Sequence, residues 1–197
     1  MGIAAYPGSF NPPTIAHLAI AKAALLQLEV DHVHLVVSTS PLGKQDVVGP
    51  RLADRLRVLE KVAASRPWLG VKVTGAQLLA DLAEGYDAVV LGADKWAEIT
   101  DLSWYGGLRS ARDEVIRRLP RVVVVPRPPY PLPDFEVLEA PAEHSAVSST
   151  AARRGQTELM VPEAAAFDAR TGAWTDARRY EQWLVAHPHG DEPHGGG

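Results

Sequence analysis

The chain alternates between short, mostly apolar runs and longer segments with apolar residues at helical spacing. Short apolar runs without regular polar positions are typical of strands that are buried on both faces of a parallel sheet. They predict six strands, at 2–6, 32–37, 69–74, 86–91, 122–125 and 135–138. The longer segments predict helices at 15–30, 51–65, 76–83 and 109–118, and shorter helices that begin near Ser148, Pro162 and Trp174.

This alternation of strands and helices predicts an α/β fold. We expect a Rossmann-like, doubly wound parallel sheet of five to six strands with helices on both faces. The length of 197 residues fits a single domain, which we place at 1–186. The remaining segment, 187–197, is rich in Gly and His and is expected to be a disordered tail. In such sheets ligands bind beyond the carboxyl ends of the strands, so the residues that follow each strand deserve inspection.

Composition narrows the classes of function. The chain has no cysteine, which excludes disulfides, thiolate metal sites and a cysteine nucleophile. The formal net charge of −4 argues against a polymeric nucleic-acid partner. No apolar run approaches the length of a membrane span, and no basic segment precedes the first strand, so a cytoplasmic protein is expected. We see no cluster that would bind a metal by itself, and the sequence leaves open whether the protein is a homo-oligomer.

The loop after the first strand carries candidate phosphate-binding groups. Gly8, Ser9 and Phe10 open the loop, and Gly8 permits close approach of the backbone to a ligand. Thr14 is placed to cap the following helix, and His17 lies on the same face of its first turn. A helix N-terminus presents free N–H groups to an anion, to which a histidine adds another donor.

A second candidate element begins at Ser148. Ser148, Ser149 and Thr150 are three consecutive hydroxyl residues at a helix start, where side-chain and backbone donors face the same way. Arg153 follows one turn later, with a planar fork suited to phosphate. Helix capping alone would also account for these hydroxyls.

Together the two segments resemble the nucleotidylyltransferase superfamily. Gly-Ser-Phe-Asn-Pro-Pro-Thr-Ile-Ala-His-Leu, at 8–18, resembles its first motif, which is related to the HIGH motif of class I aminoacyl-tRNA synthetases. That form is most similar to the nicotinamide and nicotinate mononucleotide adenylyltransferases. Val-Ser-Ser-Thr-Ala-Ala-Arg, at 147–153, resembles the family's Ile-Ser-Ser-Thr-x-x-Arg motif. In the family this second motif binds the β- and γ-phosphates of ATP.

The resemblance, which spans roughly 2–175, also implies roles for residues between the motifs. Lys44, in the loop after the second strand, would reach phosphate, and Gly92 with Asp94 would hold the nucleotide ribose. For the acceptor, the resemblance suggests a stacking tryptophan and a pocket arginine. The candidates are Trp104, with Trp96 as the alternative stacking residue, and Arg127.

One segment departs from the family pattern. Bacterial nicotinate mononucleotide enzymes usually carry a hydroxyl-rich segment before the fourth strand, whereas this chain has Thr-Gly-Ala-Gln-Leu-Leu-Ala-Asp at 74–81. The acceptor is therefore left open.

The resemblance implies transfer of AMP from ATP to the phosphate of a small acceptor, with release of pyrophosphate. Thr14 and His17 would contact the α-phosphate, while Lys44 and Arg153 would steady the leaving group. Mg²⁺ would arrive with the triphosphate. Two alternatives stay open: a CTP-dependent cytidylyltransferase that acts on a small phosphate or phosphonate, and a nucleotide-binding sensor without catalysis.

Overall fold

A computed structural model of the protein describes residues 1–39, 49–141, 144 and 147–188. Within these ranges five strands pair in parallel in a single sheet, in the order β3-β2-β1-β4-β5. The strands are β1 (Ile3–Pro7), β2 (His32–Ser38), β3 (Leu69–Thr74), β4 (Ala88–Gly92) and β5 (Arg121–Val125). The α/β class and the doubly wound parallel sheet predicted from the sequence are confirmed.

The sheet is enclosed by helices that follow the strands along the chain. Short 3-10 turns lie at Leu102–Tyr105 and Thr157–Leu159. The α-helices are α1 (Ile15–Gln27), α2 (Leu52–Ala64), α3 (Leu79–Leu82), α4 (Ala93–Thr100), α5 (Arg109–Arg117), α6 (Ser149–Arg153), α7 (Pro162–Thr171) and α8 (Ala177–Ala186).

The strand order places a topological switch point between β1 and β4. The chain runs outward from β1 through β2 to β3, and then returns to place β4 on the other side of β1, with Ala4 opposite Ala88. Crevices at such a point, outside the carboxyl ends of the strands, are where open α/β sheets bind ligands. The loop at 8–14 and the start of α4 both leave the sheet at this edge.

The two helices α1 and α2, which flank this edge, pack on the core through small and charged residues as well as large apolar ones. In α1 the buried positions include Ala16, Ala21 and Ala24, whose small side chains let the helix lie close to the sheet. In α2 the buried face includes Asp54 and Arg55 beside Val58, Leu59 and Val62. Two charged residues, Asp54 and Arg55, are therefore enclosed on the buried face of α2.

Some predicted elements differ from the structure. The segment 135–138 forms a single parallel bridge, between Val124 and Val137, in place of a sixth strand. Helix α4 was not predicted, although Trp96 and Ile99 are spaced to pack on the core. Helix α8 begins at Ala177, after the N-cap Asp176, and Trp174 is buried in the turn before it. Of the predicted tail, His187 stacks on Trp183, and 189–197 lies outside the described residues.

None of the helices in the described ranges combines the length and the apolar character that crossing a membrane requires.

Candidate active site

The two predicted phosphate-binding segments lie against each other, although they are far apart in the sequence. Ser149 Oγ donates a hydrogen bond to the carbonyl oxygen of Pro12 at 2.8 Å. Arg153 donates through Nη1 to the carbonyl oxygen of Asn11. The first turn of α6 is therefore bound directly to the loop between β1 and α1.

The loop at 8–14 is held from several further directions. A cis peptide bond joins Asn11 and Pro12. Three other parts of the chain bind the loop: Arg55 Nη1 donates to Ser9 O at 3.0 Å, Val161 N to Pro13 O at 3.2 Å, and Trp174 Nε1 to Asn11 Oδ1 at 2.7 Å. A loop with this many long-range bonds is fixed before a ligand arrives, which lowers the entropic cost of binding.

Thr14 and His17 form a reciprocal contact at the start of α1. The backbone N–H of Thr14 donates to His17 Nδ1 at 2.9 Å, and Thr14 Oγ1 lies 2.8 Å from the same nitrogen. Because Nδ1 accepts the backbone proton, the neutral ring carries its own proton on Nε2. The contact therefore leaves His17 with one donor, Nε2–H, which has no partner among the residues that the structure describes.

The surroundings of His17 keep its ring neutral. Burial, and secondly the positive charge of Arg127, lower the pKa of His17 from 6.5 to about 4. The rings of Tyr6 and Phe10 lie 6.2 Å and 5.1 Å from the imidazole, centroid to centroid. At neutral pH the histidine thus acts as a hydrogen-bond donor and not as a fixed cation.

Phe10 supports the site from beneath. Its side chain is 1% exposed, and its φ of 43° lies in the left-handed region. A Cβ at Gly8 would come within 2.8 Å of the Phe10 ring, so the backbone at Gly8 lies directly on this ring. Any contact of Phe10 with a nucleotide is therefore restricted to its backbone, while the ring packs under Gly8 and against His17.

The hydroxyl residues of α6 are divided between capping and the loop contact. Ser148 Oγ accepts from Ala151 N at 3.1 Å and caps the helix. Thr150 Oγ1 accepts from Arg153 Nη2 at 3.1 Å, which orients the guanidinium. The structure therefore supports both the capping interpretation and the proximity to the first motif.

Gly92 ends β4, and Asp94 lies in the first turn of α4. Asp94 Oδ1 is 3.5 Å from Arg127 Nε, and both side chains are nearly half exposed. Arg127, predicted as an acceptor residue, is thus paired with the carboxylate predicted to hold the ribose. Arg127 does not line the cavity beside the loop at 8–14.

A cavity of about 400 Å³ opens beside the loop at 8–14. The cavity reaches the switch point, since Gly8 and Ser9, which follow β1, and Gly92, which ends β4, line it. Trp104 lines the cavity and is 57% exposed. Trp96 instead packs edge-on against Phe135, with ring centroids 4.9 Å apart. Of the two tryptophans, Trp104 is the one that lines this cavity.

The segment that departs from the family pattern forms one wall of this cavity. Gln77, Leu78 and Leu79 line it, and Leu82 continues the wall within α3. Leu52, Leu91 and Ile99 contribute further apolar surface. An apolar wall stands where the family pattern has a hydroxyl-rich segment, so a ligand here would meet mainly carbon.

Sequence reasoning missed Arg55. It lines the cavity, is 8% exposed, and donates to the loop at Ser9. Nothing in the helical pattern distinguished Arg55 from its neighbour Arg57, because burial of a charged residue is decided by tertiary packing.

Lys44, a predicted site residue, lies outside the described residues. Within the described ranges no group of three or more His, Cys, Asp or Glu residues is arranged to hold a metal ion.

A helix-capping histidine and a Ser-Ser-Thr/Arg segment at the switch point of an α/β sheet are typical of proteins that bind nucleotide phosphates. Comparison with known proteins identifies the class more closely, since the cytidylyltransferase-like family matches residues 5–155. The chain belongs to this family and is a nucleotidyltransferase.

Individual relatives agree with this assignment. A probable nicotinate-nucleotide adenylyltransferase of Anaeromyxobacter sp. (strain K) is 33% identical over 184 residues, covering 82% of this chain and 89% of the relative. A protein of Salinibacter ruber with the same description is 29% identical over 136 residues, covering 62% of this chain and 66% of the relative.

Proposed function

We propose that the protein transfers AMP from ATP to the phosphate of a pyridine mononucleotide, nicotinate or nicotinamide mononucleotide, and releases pyrophosphate. The observation that carries this proposal is the direct bonding of α6 to the loop at 8–14, beside a cavity large enough for an acceptor. The relatives described as probable nicotinate-nucleotide adenylyltransferases support the choice of acceptor.

The chemistry needs little beyond positioning and charge stabilisation. An oxygen of the acceptor phosphate forms a bond to the α-phosphorus of ATP, and the bond from that phosphorus to the bridging oxygen of the β-phosphate breaks. Pyrophosphate carries away the bonding electrons and the negative charge. Because the attacking phosphate is already an anion, no strong base is required, and rate enhancement comes from orientation and electrostatics.

In this proposal each described residue has a defined part. His17 donates from Nε2–H to an α-phosphate oxygen as charge develops there, and Thr14 fixes the ring through Nδ1. Arg153 and the N-terminal N–H groups of α6 hold the β- and γ-phosphates. Lys44, outside the described residues, is proposed to assist the leaving group. The triphosphate oxygens would hold Mg²⁺, which would offset part of their charge.

The deciding experiment measures pyrophosphate release from ATP with each mononucleotide as acceptor. We expect release with at least one of them, and the corresponding dinucleotide as the product. Release with neither acceptor, by a folded protein that binds ATP, would contradict the proposed transfer and favour a nucleotide-binding sensor.

The family match favours a second candidate, transfer of CMP from CTP to a small phosphate or phosphonate. The two nucleotides can be compared by thermal shift, because a ligand that binds only the folded state stabilises it by about 2.7 kcal/mol at a hundredfold excess over its Kd. A larger shift with ATP than with CTP supports adenylyl transfer, and the reverse supports cytidylyl transfer.

A further inference from the structure

Arg55 is an enclosed cation with little to balance it. The residue is 8% exposed, and no carboxylate forms an ion pair with it within the described ranges. Its neighbour Asp54 is paired instead with Arg57, at 2.9 Å, and accepts a hydrogen bond from Tyr180. Burial of a charge without an opposite charge is costly, so such a group normally has a partner in the working protein.

The hydrogen bonds of the guanidinium are incomplete. Nη1 donates to Ser9 O at 3.0 Å, while the buried Nε has no partner among the described residues. Burial also lowers the pKa of Arg55, although the group remains charged at any physiological pH. A cation in this condition is suited to an anion that brings several acceptor oxygens at once.

The position of Arg55 indicates which anion this is. The residue lines the apolar cavity, and its bond to Ser9, which also lines the cavity, places the guanidinium against the loop at 8–14. The triphosphate-binding elements contact the other part of the same loop, through Asn11 and Pro12. An anion at Arg55 would therefore lie next to the nucleotide and on the acceptor side of it.

The other charged residues of the cavity do not offer a comparable site. Lys95 is exposed and is paired with Glu98 at 2.8 Å, so its charge is balanced. The remaining lining is largely apolar, with leucines at Leu52, Leu78 and Leu79. Among the described lining residues, Arg55 is thus the cation without an ion-pair partner.

We propose that Arg55 binds the phosphate of the acceptor, a phosphate monoester, and holds it for attack on the α-phosphorus. This inference rests on the proposed nucleotidyl transfer, but it adds which residue binds the acceptor phosphate and where in the cavity that phosphate lies. The apolar wall takes the organic part of the acceptor, while the guanidinium takes its dianionic group.

The test measures binding of an acceptor phosphate when the nucleotide cleft is already filled. Wild-type protein is saturated with α,β-methylene-ATP, which cannot transfer AMP, and is titrated by calorimetry with nicotinamide mononucleotide, nicotinate mononucleotide or inorganic phosphate. Arg55→Met and Arg55→Lys are compared with Lys61→Met, which removes an exposed charge from the same helix. Circular dichroism and the unfolding midpoint confirm that each variant is folded.

We expect Arg55→Met to weaken binding of the phosphate-bearing probe by at least about tenfold, as for loss of a charge-assisted contact. Arg55→Lys should retain part of the affinity, because it keeps the charge and loses the fork. Lys61→Met should stay within about twofold of wild type, and the analogue should bind all four proteins alike.

Unchanged phosphate affinity in folded Arg55→Met would overturn the proposal, as would an equal loss of affinity for the ATP analogue. If Arg55→Met fails to fold, the same comparison with Arg55→Lys decides, since a lysine that binds as wild type contradicts the need for the fork. Inorganic phosphate keeps this test separate from the proposed function. A protein that releases no pyrophosphate can still show a phosphate site that depends on Arg55. Conversely, a protein that releases pyrophosphate can show a phosphate affinity that is unchanged in Arg55→Met.

Discussion

At the scale of single residues, the site depends on how His17 shares its two ring nitrogens. Nδ1 is occupied by the Thr14 N–H, which leaves Nε2–H for a ligand. Replacing His17 by asparagine or by glutamine separates the contact to Thr14 from the contact to a ligand. The asparagine amide reaches about as far as Nδ1, and the glutamine amide reaches about as far as Nε2.

For His17→Asn we therefore expect a fall in turnover of about 10²–10³-fold, the usual cost of one lost donor to a developing charge. His17→Gln should retain more activity, although its cap at Thr14 is weakened. The measurement is kcat for pyrophosphate release at saturating ATP and acceptor. Turnover near that of wild type in His17→Asn would remove the histidine from the mechanism.

The lowered pKa of His17 also makes a prediction for stability. Above pH 6.5 the ring is neutral in both folded and unfolded protein, so it contributes no pH dependence there. Between pH 6.5 and about 4 the unfolded chain takes up the proton first, so the free energy of unfolding falls by up to about 3 kcal/mol.

Denaturant titrations of ligand-free protein across that pH range check this expectation. The decline should be shallower in His17→Asn, and the difference between the two profiles cancels other histidines, including His34, whose pKa burial also lowers. Parallel profiles for the two proteins would contradict the assignment.

Arg153 and Arg154 are adjacent residues with different surroundings. Arg153 bonds to Asn11 and Thr150, whereas Arg154 is exposed at the end of α6. We expect Arg153→Met to raise the KM for ATP by about 10–100-fold through loss of charge-assisted bonds to phosphate. Arg154→Met is the control and should change the KM by less than about twofold. Equal KM values for the two variants would argue against a phosphate contact at Arg153.

At the scale of elements, the turn between α7 and α8 positions Trp174 against the loop at 8–14. The turn begins at Gly172, whose φ is +73°, and a Cβ there would lie 2.8 Å from Asp176 O. Asp168 fixes the turn by accepting from the N–H groups of Trp174 and Thr175 at 2.7 Å and 3.1 Å.

Gly172→Ala should therefore lower the free energy of unfolding by about 1–3 kcal/mol, through backbone strain and the steric conflict at Asp176. Gly75→Ala is the matched control, since a Cβ at Gly75 meets nothing within 4 Å. Chemical denaturation of both variants provides the comparison. A loss as large in Gly75→Ala as in Gly172→Ala would contradict the conformational explanation.

Elements with strong patterns were predictable, and elements decided by packing were not. The β-branched runs at β2 and β5 have few alternatives to a buried strand. Helix α4 follows β4 without a break, and eight residues are too few for periodicity to stand out. The segment 135–138 has strand-like residues but makes one bridge to β5, at Val137.

The residues of the candidate site also divide into those that a sequence pattern predicts and those that packing decides. Thr14, His17 and Arg153 are candidates that the sequence identifies because local motifs carry them, whereas Arg55 is not, because its burial is a property of the assembled fold. The pairing of Arg127 with Asp94 joins the segment after β5 to the first turn of α4, and no local pattern encodes this approach.

At the scale of the whole molecule, one loop collects contacts from segments spread along most of the chain. The loop at 8–14 is bonded to residues 55, 149, 153, 161 and 174. ATP that bridges α1 and α6 should therefore stabilise both ends of the chain together.

Amide hydrogen exchange measures this coupling. With ATP bound, we expect protection to rise in parallel at 8–17 and 148–153, and to change little in α5, which has no buried residue. Protection confined to only one of the two segments would mean that the nucleotide does not bridge them.

The same arrangement has a consequence for synthesis on the ribosome. The chain emerges from its N-terminus at about 5–20 residues per second, so the first motif waits for many seconds before Arg153 and Trp174 leave the exit tunnel. Until then the loop at 8–14 lacks its partners at 149–174. Capture of stalled nascent chains on immobilised ATP should thus begin only when the stall site lies well beyond residue 174, which makes nucleotide retention a measure of completed folding.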